Sequence, residues 1–438
     1  MPIKTTSLSI LALAVAITFA VSDARLKQGD DLKWLPAIDL ILGAFQTHAL
    51  VALSDGAGHG QTETRDFFNA LIRDTRFPST VNTVVVEFGN ARHQTVMDRY
   101  VLGNPVTREE LRHVWEDTTQ VSGVWSLPMY EQMLADVRSV NARLPPTRRI
   151  RIVLGDPPID WTTVTSPADE DMNDWRDAHV AHVIEREVMR RKQKALILIG
   201  GAHISRKVVY PNSLIHLLDS QFPGQTWVIG VLDSNHVDPG IKTRLQPPTL
   251  PAGATVRHTW FGSLDVSQIG FTLSRGVIGD DVDALLVLTS GSPRPSQSPI
   301  LDTAYEIELA RRRALGDATI PFRGAKIRFE EGLTALASDA DEPLHVVLRE
   351  MMRDRRLRVL VKAFADRAES DVGSLSSQRA EVVVNWLSKR GITLDRLVPR
   401  GCGTRRPLTF GHTAAERAMN RRAELVRLTA SAGCEPPW

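Results

Sequence analysis

Two histidines stand three residues after a glycine, each in a turn that closes an apolar run. Gly56 leads to His59 after Ala49–Leu53, and Gly200 leads to His203 after Ala195–Ile199. Two carboxylates close two more such runs, Glu87 after Val84–Val86 and Asp156 after Ile150–Gly155. Imidazole titrates near neutrality, so a histidine oriented by a carboxylate is a general base that can take a proton from water. Glycine beside it removes steric cover and lets backbone approach closely. The same set offers His and Glu ligands to a zinc-like divalent ion, with His59, Glu87 and His203 as the metal candidates. A plain hydrogen-bonded structural cluster is the bland alternative. There is no Gly-x-Ser-x-Gly elbow, phosphate-binding loop or His-Glu-x-x-His motif, and both cysteines lie near the C-terminus. Hydrolysis here would therefore use activated water.

These residues need a scaffold that brings strand ends together. The four apolar runs alternate with helical stretches such as Thr62–Asp74 and Asp177–Lys192, and Trp227–Gly230 and Ala284–Leu288 extend the series. Apolar strands alternating with helices predict an α/β fold, a mostly parallel sheet with helices on both faces. Ligands of such sheets gather at the carboxyl ends of the strands, where His59, Glu87, Asp156 and His203 all fall. His179 and His182, three apart on one helix, read as a surface pair. Asp156–Trp161, with Pro157 and Pro158, reads as a rigid pocket rim, and His93 faces either the cleft or solvent.

The last hundred residues carry a different order of signals. A strand-like run, Arg358–Phe364, ends in Ala365-Asp366. Leu375-Ser376-Ser377-Gln378-Arg379-Ala380 opens an amphipathic helix that ends at Gly391-Ile392. Gly401-Cys402-Gly403, Pro407 and Asn420-Arg421-Arg422-Ala423-Glu424-Leu425 follow. This stretch resembles the OmpA C-terminal-like domain, a smaller α+β module that holds bacterial envelope proteins on peptidoglycan. The resemblance implies a diaminopimelate stem peptide as partner, with Asp366 on its ammonium and Arg379 on its carboxylate. An anion and a guanidinium fork at fixed separation suit such a zwitterion. The competing structural roles are a helix cap for Asp366 and a solvated surface charge for Arg379. The Asp366–Arg379 spacing is about two residues shorter than the family's, the Asn before Leu375-Ser376 is missing, and Ala365 replaces Thr. Residues 351–430 hold 17 Lys and Arg against 8 Asp and Glu, within a chain of net charge +2. A basic domain suits an anionic polymer. Nucleic acid is the competing polymer, and an exported domain would not meet it.

The first domain carries a second resemblance. Its two Gly-x-x-His turns, Glu87, Arg176-Asp177 and the run Asp98–Gly103 look like the superfamily joining erythromycin esterases, ChaN-type haem-binding lipoproteins and TraB/TIKI proteases, over roughly residues 45–235. The esterase branch implies His59 as the base, supported by Asp55 and Glu87, with Arg65 nearby. Asp55 stands where a Glu is usual and one residue further from its histidine, and the second turn has one His where esterases often have two. The ChaN branch implies haem, or another ligand, held without turnover.

Met1–Lys4 followed by the apolar Leu8–Val21 and small residues at Ser22–Ala24 predicts a signal peptide over 1–24, with an uncleaved inner-membrane anchor as the alternative. No later run is apolar enough to cross a bilayer. The expected organisation is a hydrolase-like α/β domain over 25–315, a linker at 316–324, the OmpA-like domain over 325–430 and a tail at 431–438. Cys402 and Cys434 stand either as a disulfide, suited to an oxidising compartment, or as two thiols. Together these readings describe a periplasmic or outer-membrane-associated, peptidoglycan-tethered protein with a His/Glu hydrolase domain. The rivals are a ligand-binding envelope protein and a purely structural one.

Overall fold

A computed structural model describes residues 30–55, 59–121, 123–162, 164, 176–207, 213–233, 235–270, 274–290, 294, 298–317, 326–405, 407–408, 413–428 and 434. The expected signal peptide lies outside these residues, as does the expected tail apart from Cys434. Among the described residues no helix is long and apolar enough to cross a membrane.

The first sheet contains β1 (Leu35–Pro36), β2 (Leu50–Ser54), β3 (Thr83–Asn90), β4 (Arg151–Asp156), β5 (Ala195–Ile199), β6 (Thr226–Val231), β7 (Ala252–Thr255) and β8 (Ala284–Val287), in the order β1-β7-β8-β6-β2-β5-β3-β4. From β8 to β4 every neighbour is parallel, and β7 and β1 add an antiparallel edge. The central strands read as continuous apolar runs because both faces are covered. Along β2, Val51 and Leu53 join the core on one face, with Phe67, Leu71 and Trp125. Leu50 and Ala52 join the core on the other, with Val180, Ile184 and Leu217. Helix Thr62–Arg73 follows β2, and helix Pro128–Asn141 packs on it. The helix expected over Asp177–Lys192 is α-helical over Arg176–Ile184 and continues as a wider π-turn over Glu185–Met189.

Helix Thr303–Asp317 is tied to the first domain. The Tyr305 hydroxyl and Arg312 Nη1 both donate to the carbonyl of Glu116, at 3.1 and 2.6 Å. The stretch expected to be linker at 316–324 thus begins as the end of this helix, and its remainder lies outside the described residues.

The second sheet orders β11 (Leu397–Gly401), β10 (Val359–Ala363), β12 (Arg422–Arg427) and β9 (Lys326–Arg328). Strands β10 and β11 are parallel, and the other pairs are antiparallel. One face carries Val359, Val361 and Ala363 against Val347 of helix Asp341–Arg353 and Val383 and Leu387 of helix Val372–Ser388. That last helix starts three residues before the expected Leu375. Asp371, in the left-handed conformation, caps it by accepting from the Ser374 amide. Gly401 has to be glycine: a Cβ there would fall 2.3 Å from Ser377 Oγ and 2.5 Å from its amide nitrogen, so the turn lies directly on the helix.

Cys402 and Cys434 are bonded across a sequence separation of 32. In the chain-entropy picture a loop of that length stabilises a fold by about 3–4 kcal/mol. Reduction is therefore expected to lower the denaturant midpoint of the C-terminal domain by that equivalent. An unchanged midpoint under reductant would show that the loop adds nothing to stability.

Candidate functional site

Neighbouring β2, β5, β3 and β4 place their carboxyl ends side by side, and the site is built there. Asp55 follows β2 directly, and its amide donates to the Ile199 carbonyl at the end of β5. His59 Nδ1 lies 2.7 Å from Asp55 Oδ2. A carboxylate only accepts, so Nδ1 carries the proton and Nε2 keeps its lone pair. The His59 ring stands edge-on to Trp125 at 4.5 Å, and the buried Tyr130 hydroxyl donates to Asp55 Oδ2 at 3.4 Å. Burial opposes the imidazolium, but the hydrogen bond and charge of Asp55, with Glu87, raise the His59 pKa above 6.5.

Gly200 joins the two halves of the site. Its amide donates to Glu87 Oε2 at 2.7 Å. A Cβ at Gly200 would lie 2.9 Å from His59 Cε1 and 3.2 Å from Glu87 Oε2, so the imidazole and the carboxylate both pack on this backbone. Glu87 projects from β3 where the β3–β4 register shifts between Val86 and Asn90, an irregularity of the kind that re-aims side chains. Its Oε1 accepts from Gln120 Nε2 at 3.0 Å and from Arg176 Nη2, and lies 3.4 Å from His203 Nε2. Burial alone would raise the Glu87 pKa, but Arg176 and then His203 hold it well below the ordinary carboxylate range.

His203 is held on both ring nitrogens. Nδ1 lies 2.5 Å from Asp177 Oδ1, and Nε2 faces Glu87. Asp177 is itself fixed by the Leu214 amide at 3.0 Å. With acceptors on both sides the ring is an imidazolium. Burial opposes the charge, but Asp177 and Glu87 outweigh it and push the pKa up to about 10. The stabilising contribution of this pairing is therefore complete below 6.5 and is lost as pH rises through about 10. Asp156, at the end of β4, accepts from the Thr119 amide and hydroxyl, both at 2.7 Å, and lies 3.3 Å from Arg176 Nε. Burial pushes its pKa up to about 6 against the pull of Arg176 and Thr119.

His59, Glu87, His203 and Asp55 thus share one cluster. Arg65 does not join it: its guanidinium bonds Asp136 at 2.7 Å and Asp66 at 3.1 Å, tying helix Thr62–Arg73 to helix Pro128–Asn141. The guanidinium of the site is Arg176, whose place in the pattern was the Arg176-Asp177 pair opening a helix. Gln120, Trp125 and Tyr130 carried no sequence signal, because they arrive from a loop and a helix far from the strand ends. His179 is fully buried, which corrects its reading as a surface residue, while His182 is near Glu185 at 3.8 Å. His93 lies 3.2 Å from Asp117 in a separate cleft bounded by Arg311 and Arg312.

The metal expectation for His59, Glu87 and His203 does not fit this geometry. Arg176 and His203 both contact Glu87 Oε1, and His203 Nδ1 is held by Asp177. Among the described residues no group of three His, Cys, Asp or Glu is placed to hold an ion.

In the second domain Asp366 follows β10 and is 2% exposed. Its Oδ1 accepts from the Ala368 amide at 2.9 Å and its Oδ2 from Asn420 Nδ2 at 2.8 Å. Among the described residues no cation stands within ion-pair distance of it. It is not the cap of the following helix, a role taken by Asp371. Arg379 is fully buried, not a solvated surface charge. Nor is its fork open: Nη1 and Nη2 grip Glu369 at 2.8 and 2.6 Å, and the remaining bonds go to the carbonyls of Leu333, Phe364 and Glu330.

A four-stranded sheet under this helix pair, with Asp366 at a strand end and Arg379 inside, defines an OmpA-like α+β domain. Residues 328–421 match the OmpA family. The peptidoglycan-binding protein ArfA of Mycobacterium tuberculosis (strain H37Rv) is 31% identical over 106 residues, which is 24% of this chain and 32% of ArfA. Outer membrane protein A of Escherichia fergusonii is 25% identical over 242 residues, 52% of this chain and 66% of that protein. The solved peptidoglycan-associated lipoprotein of Burkholderia pseudomallei is 23% identical, covering 26% of this chain and 98% of its own, with a TM-score of 0.24. The chain thus spans about a third of the length of its ArfA relative.

Proposed function

We propose that this is an exported envelope protein of the periplasm or outer-membrane face, tethered non-covalently to peptidoglycan through its OmpA-like domain, whose first domain is a hydrolase using His59 to activate water. The tether rests on the OmpA match and on one observation: Asp366 is a buried carboxylate without a cation among the described residues. A stem-peptide ammonium is the missing charge. Arg379 orders the wall behind it. The hydrolase reading rests on the Asp55–His59 pair, with the Nε2 lone pair directed away from its carboxylate. His203 and Arg176 supply fixed positive charge beside the base, as a developing oxyanion requires.

The test of the tether is sedimentation of the full chain with purified sacculi. Wild type is expected to pellet. Asp366→Asn removes a charge-assisted contact, which costs roughly 1.5–3 kcal/mol, so affinity falls about tenfold or more. An Asp366→Asn chain that pellets like wild type would remove the tether.

A further inference from the structure

In the OmpA-like pocket the two charges are not equivalent. Arg379 is already matched: Glu369 Oε1 accepts from Arg379 Nη2 and the Gly332 amide, and Glu369 Oε2 accepts from Arg379 Nη1 and the Asp366 amide, at 2.6–2.8 Å. These four donors make a complete carboxylate cradle, and the Glu369 side chain filling it is only 2% exposed. Asp366, one residue beyond the Phe364-Ala365 pair that follows β10, is buried with two neutral N–H donors and no cation among the described residues. One half of a zwitterion's complement, the cation, is already matched from within, while the other, the Asp366 carboxylate, has only neutral donors among the described residues.

We propose that Glu369 sets the ligand class of this pocket: it supplies the carboxylate that Arg379 would otherwise take from a ligand, so the site recognises a primary ammonium without a neighbouring free carboxylate. A lysine side chain has that chemistry, as does a diaminopimelate whose side-chain carboxyl is amidated. A free carboxylate on the ligand would meet Glu369, and two like charges at contact disfavour each other. The short loop between Asp366 and Arg379 brings Glu369 back over the guanidinium. The inference rests on the peptidoglycan reading above.

Calorimetric titration of the full chain with soluble stem peptides ending in lysine, in amidated diaminopimelate and in free diaminopimelate tests it. Wild type is expected to favour the first two by at least threefold. Equal affinities, or a preference for free diaminopimelate, would overturn the proposal without touching the tether, and so would sacculus binding with no peptide bound. Loss of sacculus binding itself would remove the peptidoglycan reading and this proposal with it. Glu369→Gln leaves the fork without an internal anion, and the free diaminopimelate form is expected to gain about tenfold. The wild-type ranking decides the matter even where that variant folds poorly.

Discussion

Replacing His59 with alanine is expected to lower turnover of an ester or amide substrate by about 10²–10⁴, the range that a positioned general base contributes. The fold should survive, because the His59 side chain is 27% exposed and its partners Asp55 and Trp125 belong to separately packed elements. The pH dependence follows from the same geometry. Only neutral His59 can take a proton, and its pKa is raised, so activity climbs as pH passes a value above 6.5. Only protonated His203 offers positive charge, and it is lost near pH 10. The expected profile is a broad bell between these limits. His59→Ala protein with wild-type turnover, or wild-type activity that falls on rising from pH 6.5 to 8, would end the role of His59 as base.

Arg379→Ala is expected to destabilise the C-terminal domain by about 3–5 kcal/mol, because removing one partner of a buried ion pair strands the other. Glu369 would keep two backbone donors and lose its counter-ion. Phe329, whose ring lies 5.2 Å from the guanidinium carbon, would lose a packing partner. Three carbonyls, of Leu333, Phe364 and Glu330, would be left to find other donors. Lysine is a point charge and cannot grip Glu369 with two parallel bonds, so Arg379→Lys should recover only part of the loss. Denaturant unfolding measures both. A loss under about 1 kcal/mol for Arg379→Ala would mean the ion pair is not the brace of this domain.

Strands buried on both faces are legible because most of their residues are apolar, and β2, β4, β5, β6 and β8 lie within a residue or so of the apolar runs, while β3 continues four residues past Val86 to Asn90 and so carries Glu87 inside the strand. The edge pair β1 and β7 was not legible, since two and four residues of mixed type carry no period. The strand ends indicated which of these side chains would meet, but not which guanidinium would join them. Arg65 sits one helical turn past His59's loop and looks close in sequence, yet its helix turns it toward Asp136. Arg176 comes from 89 residues beyond Glu87 and meets it through the crossover connection. The Asp366–Arg379 pair stands out as a motif, whereas Glu369 does not. A glutamate in a polar loop reads as solvated until the loop's path folds it under the guanidinium.

A His59 base on Asp55 beside a His203 locked as a cation on Glu87 requires two rings that titrate differently. Nitrogen NMR of the histidine-labelled full chain from pH 5 to 11 reads this without any substrate, with His59→Ala and His203→Ala assigning two of the twelve histidines. His203 is expected to keep both ring protons until about pH 10, while His59 titrates above 6.5 and holds its remaining proton on Nδ1. A His203 that loses its proton near 6.5, or a neutral His59 protonated on Nε2, would contradict it.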